Sequence, residues 1–439
     1  MSRLADPPPA PTQTAAPASI SPAQASEARN FVVLAVHSVL LRVGWIFKTE
    51  SIVMPVFLSY IGATPFMLGL LPVLNRIGLS VPPLLYAARL KTTPKKKWSV
   101  IASTGAMAAP FALLSLVWAT GLWRGEGGAA AGWMPWFFLA VYGVFFGLTG
   151  VNQLGCHALH GKLIRADLRG RLFMASVLVG APLAILAAWW LLPAWLAMDD
   201  GGFGWVFAAT AVAFVAAALS LTAAAETPDN FTEQSTNPWQ KFHDAWTVVR
   251  THPDARAVGI LAALASVNLM LFPHYQTVGK QLFGLDLSAM TLWICVQNAA
   301  TAAISLVAGP MADRYGNRKA LHFCVYGLCL GPASVLALMA VPPEVGRAWF
   351  WLVFAPLGYM PVTIRILINY TLEISSEADH PRFVSAFGMC LALPVIVGSP
   401  VVGWLFGAVG AAAVFGGGLL LLLVAGAQTH RLREPRHSL

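Results

Sequence analysis

The chain has 439 residues, of which 57% are hydrophobic and only 11% charged, with a formal net charge of +9. A soluble domain carries about 25% charged residues, so a soluble globular enzyme is excluded. Runs of about 20 apolar residues follow one another, as in a polytopic helical membrane protein, while the alternation of a transmembrane barrel is absent.

The first segment, Met1 to Asn30, is rich in Pro, Ala and Ser and reads as a disordered tail. No apolar stretch precedes Phe31, so it is not a cleaved signal peptide. Twelve spans follow: Phe31–Tyr60, Thr64–Ala87, Trp98–Leu122, Trp133–His157, Leu172–Ala197, Phe203–Ala225, Val258–Phe283, Leu287–Gly309, Ala320–Val341, Ala348–Tyr370, Val384–Val409 and Ala411–Ala427. The expected fold is all-α, with one six-helix bundle in residues 31–225 and another in 258–427. The linker 226–257 places Trp239, Phe242, Ala245, Trp246 and Val249 at helical spacing. That pattern suits a short amphipathic helix on the inner membrane face, or a plain tether. Residues 428–439 form a tail.

Positive charge divides the loops into two classes. Arg89, Lys91 and Lys95 to Lys97 follow span 2; Lys162, Arg165, Arg169 and Arg171 follow span 4. Lys241, Arg250 and Arg256 lie in the linker, Arg314, Arg318 and Lys319 follow span 8, Arg382 follows span 10, and Arg431, Arg433 and Arg436 end the chain. The other side has only Arg124, Lys280 and Arg347. By the positive-inside rule both termini and every even-numbered loop are cytoplasmic. Most of the net charge is therefore topogenic and does not indicate nucleic-acid binding.

The stretch Gly309-Pro-Met-Ala-Asp-Arg-Tyr-Gly-Asn-Arg-Lys319 separates spans 8 and 9. Asp313, Arg314, Arg318 and Lys319 cannot lie in hydrocarbon, and Gly309 and Gly316 are expected to permit a tight hairpin. The two halves also repeat: Ser59-Tyr-Ile-Gly-Ala63 ends span 1 and Gln281-Leu-Phe-Gly-Leu285 ends span 7. The pattern G-x-x-x-D-R-x-G-x-R-K between two spans resembles the signature loop of the major facilitator superfamily of secondary transporters. The resemblance implies two six-helix bundles related by a pseudo-two-fold, a substrate site near the midplane, and a gating role for the loop through Asp313. In the first-half loop Ala88 stands in place of the signature aspartate and no glycine follows Arg89. Span 4 lacks the membrane arginine typical of the superfamily's drug–proton antiporters.

Charges kept inside spans carry the functional expectation, since each costs roughly 2.5–3.5 kcal/mol even on a mild scale. They are Arg42, Lys48 and Glu50 in span 1, Arg76 in span 2 and Arg365 in span 10. Glu50 is the one deep carboxylate. It is the candidate carrier of a coupling proton, or else half of an ion pair with Lys48, Arg42 or Arg76. On a regular helix Arg42 and Glu50 share a face about 12 Å apart, and Lys48 points elsewhere, toward another helix, unless the helix is distorted near Pro55. Arg42, Arg76 and Arg365 leave a positive surplus suited to a carboxylate or similar anion. Asn369, four residues after Arg365, faces the same way. His274 and Tyr275, with Gln276, follow Pro273, whose freed carbonyl loosens span 7; they are candidates to line the cavity. His37 and Asn298 are further candidates of that kind, and Asn152 and Gln153 read as polar glue between helices.

Cys156, Cys295, Cys324, Cys329 and Cys390 all fall in apolar spans without metal-ligand spacing. No phosphate-binding G-x-x-x-x-G-K-[ST] is present. No cofactor, metal or catalytic constellation is therefore expected. The expectation is a monomeric secondary transporter in a bacterial inner membrane. It would move a small solute, an organic anion on this reading, by alternating access as a proton-coupled symporter or antiporter. Efflux of hydrophobic compounds, or a receptor or assembly protein that kept the fold, are the alternatives.

Overall fold

The computed structural model describes residues 22–228, 238–376 and 379–434. Its helices are α1 (Pro22–Phe47), α2 (Val53–Tyr60), α3 (Pro65–Thr92), α4 (Lys96–Ala119), α5 (Met134–Leu163), α6 (Ala166–Leu196), α7 (Phe203–Ser220), α8 (Pro238–Thr251), α9 (Pro253–Ala265), α10 (Val267–Phe283), α11 (Ala289–Tyr315), α12 (Asn317–Met339), α13 (Pro343–Trp349), α14 (Tyr359–Glu373), α15 (His380–Val409) and α16 (Ala411–Thr429). Twelve stretches are long and apolar enough to cross a membrane. Among the described residues strand pairing is limited to one isolated bridge, Arg124 to Ala130. Span 1 is α1 plus α2, span 7 is α9 plus α10, and span 10 joins α13 to α14 through 3-10 turns at Phe350–Phe354 and Pro356–Gly358.

Two boundaries differ from the sequence expectation. The first helix starts at Pro22, so residues 22–30 are helical. They are held to the end of span 6, where Arg29 Nε donates to the Ala223 carbonyl at 2.7 Å and Asn30 bonds both ways with Ala225. Residues 1–21 of the expected tail lie outside the described residues. Second, Gly309 lies inside α11; the hairpin is the single residue Gly316, with φ +87°, where a side chain would be strained. The repeat glycines Gly62 and Gly284 likewise share a left-handed backbone, at φ +83° and +60°.

The packing follows the repeat. In the first half, spans 3 and 6, 2 and 4, and 1 and 5 pack together; spans 9 and 12, 8 and 10, and 7 and 11 do so in the second. The halves meet chiefly through span 2 on span 11 and span 5 on span 8, contacts that the pseudo-two-fold interchanges.

Burial is unequal along the axis. At the end remote from the basic loops, one apolar core joins both halves, running from Phe57, Phe111, Phe138 and Phe207 to Tyr275, Trp293, Phe354 and Phe415. At the basic end the core is split. One cluster around Leu34, Val100 and Leu159 belongs to the first half, and another around Leu261, Leu321 and Leu367 to the second. The molecule is thus sealed at one end and parted at the basic end.

The seal is tight because two glycines let backbone meet backbone. A Cβ on Gly69 would stand 2.4 Å from the Ser399 carbonyl oxygen, and one on Gly403 2.5 Å from that of Pro65. Ser51 donates to Gln297 Oε1 at 2.6 Å, and Gln276 Nε2 to Ser59 Oγ at 3.0 Å, adding hydrogen bonds across the halves. Gly403→Val is expected to hold this end apart. Overpacking costs about 1–3 kcal/mol, about five- to 150-fold in a two-state ratio. A membrane-impermeant maleimide should then label a cysteine placed at Ser59 faster by that order.

Candidate functional site

A cavity of about 680 Å³ lies between the halves. Its walls come from spans 1, 2 and 5 on one side and spans 7, 8 and 10 on the other, and it reaches toward the basic end as far as Gly309 and Asp313. That volume is within the usual range for a small-molecule pocket, about 300–1,000 Å³.

Span 1 is discontinuous where it meets this cavity. Helix α1 stops at Phe47 and α2 starts at Val53, leaving Lys48, Thr49, Glu50, Ser51 and Ile52 outside regular helix. The helical-wheel argument therefore fails beyond Phe47, and Lys48 and Glu50 come together. Lys48 Nζ lies 2.9 Å from Glu50 Oε1, and Asn75 Nδ2 donates to Glu50 Oε2 at 2.5 Å. The Lys48 side chain is 0% exposed and that of Glu50 29% exposed. Aromatic faces enclose the ammonium, with the Trp45 ring centroid at 3.4 Å, Phe145 at 4.7 Å and Phe146 at 5.1 Å. A cation over an aromatic ring is stabilised by the ring quadrupole, the more so when desolvated. Of the partners open to Glu50, the structure selects Lys48.

The other deep cations have no such partner. Arg42, Arg76 and Arg365 all line the cavity. Among the described residues none of them makes a hydrogen bond or ion pair. Arg365 stacks its guanidinium 3.9 Å over the Phe173 ring, a contact between halves. Arg42 and Arg365 are near enough for their charges to repel, and Arg76 is near enough to Glu50 to feel its attraction. Asn369 lines the wall beside Arg365, as its spacing predicts.

Other expected residues fall elsewhere. His274 and Tyr275 are fully buried outside the cavity wall. His274 stacks on Phe406 at 4.7 Å and Tyr275 packs edge-on against Phe415 at 4.9 Å, inside the sealed core. Pro273 itself touches the cavity, but the next two side chains turn away from it. His37 bonds the Ala217 carbonyl at 2.9 Å, and Asn152 donates to Thr104 Oγ1 at 2.6 Å and Ser103 Oγ at 3.1 Å, joining helices within the first half. Arg318 donates to the His430 carbonyl at 2.9 Å, Lys319 lies 5.4 Å from the Tyr315 ring, and Glu434 sits against Gly316. Arg314 is exposed. These contacts of the signature loop stay within its own half.

Sequence reasoning missed a polar face on span 8. Gln297, Asn298, Thr301 and Ser305 all line the cavity, and Gly309 and Ala312 continue the stripe. Their spacing of three and four residues was the available signal, but only Asn298 was picked out, as a weak candidate.

The buried pair can be tested directly. Removing one partner of a buried ion pair costs about 3–5 kcal/mol, and the partial exposure of Glu50 sets the loss toward the low end. Glu50→Gln should lower the melting temperature of the purified protein, and Lys48→Met/Glu50→Gln should recover most of it.

The cavity between two repeat-related bundles has counterparts among known structures. A mutant form of the nucleoside transporter NupG superimposes with a TM-score of 0.70 at 13% identity, covering 92% of this chain and 99% of that one. A structure reported for substrate recognition in proton-dependent oligopeptide transporters gives 0.65 at 12% identity, covering 94% and 100%. The fucose:proton symporter FucP of E. coli gives 0.59 at 12% identity, covering 93% and 99%. At these identities the likeness is one of fold. No curated protein sequence is significantly similar to the chain. The description of the Major Facilitator Superfamily matches residues 51–362 and 280–438, nearly the whole chain. With twelve spans, a repeat-related pair of six-helix bundles and the loop Gly309–Lys319, the chain is a multi-pass membrane protein that belongs to the Major Facilitator Superfamily of transporters.

Proposed function

We propose that this protein is a secondary active transporter of a small organic anion, working by alternating access and coupled to protons. The observation that carries the reading is the set of three cavity arginines that make no hydrogen bond or ion pair among the described residues. A guanidinium held in a membrane protein needs water or an anion, and Arg offers a carboxylate or phosphate two parallel hydrogen bonds. Arg42 stands on the first half and Arg365 on the second, so an anion bound between them draws the halves together at the basic end. That is the motion that would close the open side.

Proton coupling is assigned to Glu50. In this conformation it is paired with Lys48 and held by Asn75, at a break in span 1 where a small rearrangement separates the partners. The signature loop, through Asp313 at the cavity mouth, acts in gating. On the charge asymmetry of the loops, the basic end is cytoplasmic and both termini lie there. The cavity is built from one chain, which supports a single chain as the transport unit.

In proteoliposomes, wild-type protein should accumulate a radiolabelled organic anion under an imposed pH gradient. Glu50→Gln, and the better-packed Lys48→Met/Glu50→Gln, should lose that accumulation and keep counterflow exchange. Uphill uptake by either variant would refute the coupling role. Arg42→Gln or Arg365→Gln should each weaken anion binding by about ten- to 100-fold, as for a lost charge-assisted hydrogen bond. Unchanged anion affinity in both would refute the anion reading.

A further inference from the structure

Five hydroxyl side chains line the cavity: Ser38, Thr49, Ser51, Thr301 and Ser305. Every one spends its hydrogen inside the protein. Ser38 donates to the Leu34 carbonyl at 2.8 Å, Thr49 to that of Ile46 at 2.8 Å, Thr301 to that of Gln297 at 2.8 Å and Ser305 to that of Thr301 at 2.7 Å. Ser51 donates to Gln297 Oε1 at 2.6 Å. A hydroxyl has one donor and two acceptor lone pairs, so each of these presents acceptors to the cavity. Asn298 spends one amide hydrogen on the Ile294 carbonyl at 2.9 Å, and Asn75 spends one on Glu50. Each keeps a second amide hydrogen, and Gln297 and Asn369 add their amide groups to the same wall. The neutral part of the wall therefore offers acceptors at the hydroxyls and donors at the amides, beside the donors of the arginines.

A ligand complementary to this wall carries an anionic group for Arg42, Arg76 and Arg365 and, for the rest, several uncharged groups that both donate and accept hydrogen bonds. Those donors are not ammonium groups, because the surplus of guanidinium charge repels a second cation. Hydroxyls supply donors without charge. Trp45, Phe173 and Phe272 add flat apolar faces to the same cavity. Resting on the anion reading above, we infer that the substrate is a polyhydroxylated carboxylate, in preference to a plain aliphatic acid or a neutral sugar.

Three probes of similar size separate the terms: gluconate, hexanoate and glucose, titrated into the full-length protein in detergent by calorimetry. Gluconate is expected to bind at least tenfold more tightly than either of the others. Thr301→Val/Ser305→Ala should reduce the gluconate-to-hexanoate preference by about tenfold, the loss expected for two neutral hydrogen bonds. Equal binding of gluconate and hexanoate, both lost in Arg42→Gln, overturns the hydroxyl requirement and leaves the anion reading intact. Glucose binding as tightly as gluconate overturns the anion reading and this inference with it. A preference for gluconate that survives unchanged in Thr301→Val/Ser305→Ala overturns the assignment to the span 8 wall. Binding of none of the three overturns the class named here.

Discussion

An ionised side chain in a membrane must find either a partner of opposite charge or water, and the rest of this structure depends on that requirement. Lys48 takes the first solution. It is sealed among aromatic rings and held by Glu50. Arg42, Arg76 and Arg365 take the second and need a space that water can enter. The cavity, the parting of the bundles at the basic end and the position of the site between them all serve these three groups. Their common placement links a local energetic demand to the shape of the whole molecule.

The division of the apolar core states the same point from the other side. Where the bundles share one continuous core, the interface is dry and set by backbone contacts at Gly69 and Gly403. Where the core splits into separate clusters, each half buries its own apolar residues and the surfaces between them are free to hold solvent. Packed interiors switch between discrete arrangements and do not deform continuously. An alternating mechanism needs each end to have two such arrangements, and the repeat supplies equivalent elements at both.

The fold was legible in the sequence because hydrocarbon imposes length and composition on every span, and the charge of the loops orders them. The cavity arginines were legible for the same reason: a charge in an apolar run has few explanations. What escaped was local. The wheel analysis of span 1 assumed regular helix, but Pro55 cannot bond back to Ser51 and its ring crowds that carbonyl, so the helix restarts just before it; which bonds then hold Glu50 and Ser51 is set by neighbouring spans. His274 and Tyr275 looked like cavity residues because they are polar in an apolar span, yet their rings pack on Phe406 and Phe415 away from the cavity wall. The polar face of span 8 was hidden because hydroxyls bonded to their own helix are unremarkable in composition, and only their shared direction gives them meaning.

The interruption of span 1 has one further consequence. Helix α2 is bound into the sealed core, whereas α1 runs along the parted side, so any rocking of the bundles must be taken up between them. The same five residues carry the ammonium and the carboxylate. Bending this joint and rearranging its charges are then two descriptions of one event. Their influence is reciprocal: whatever favours one arrangement of the Lys48–Glu50 pair favours the angle of the joint that goes with it, and the reverse.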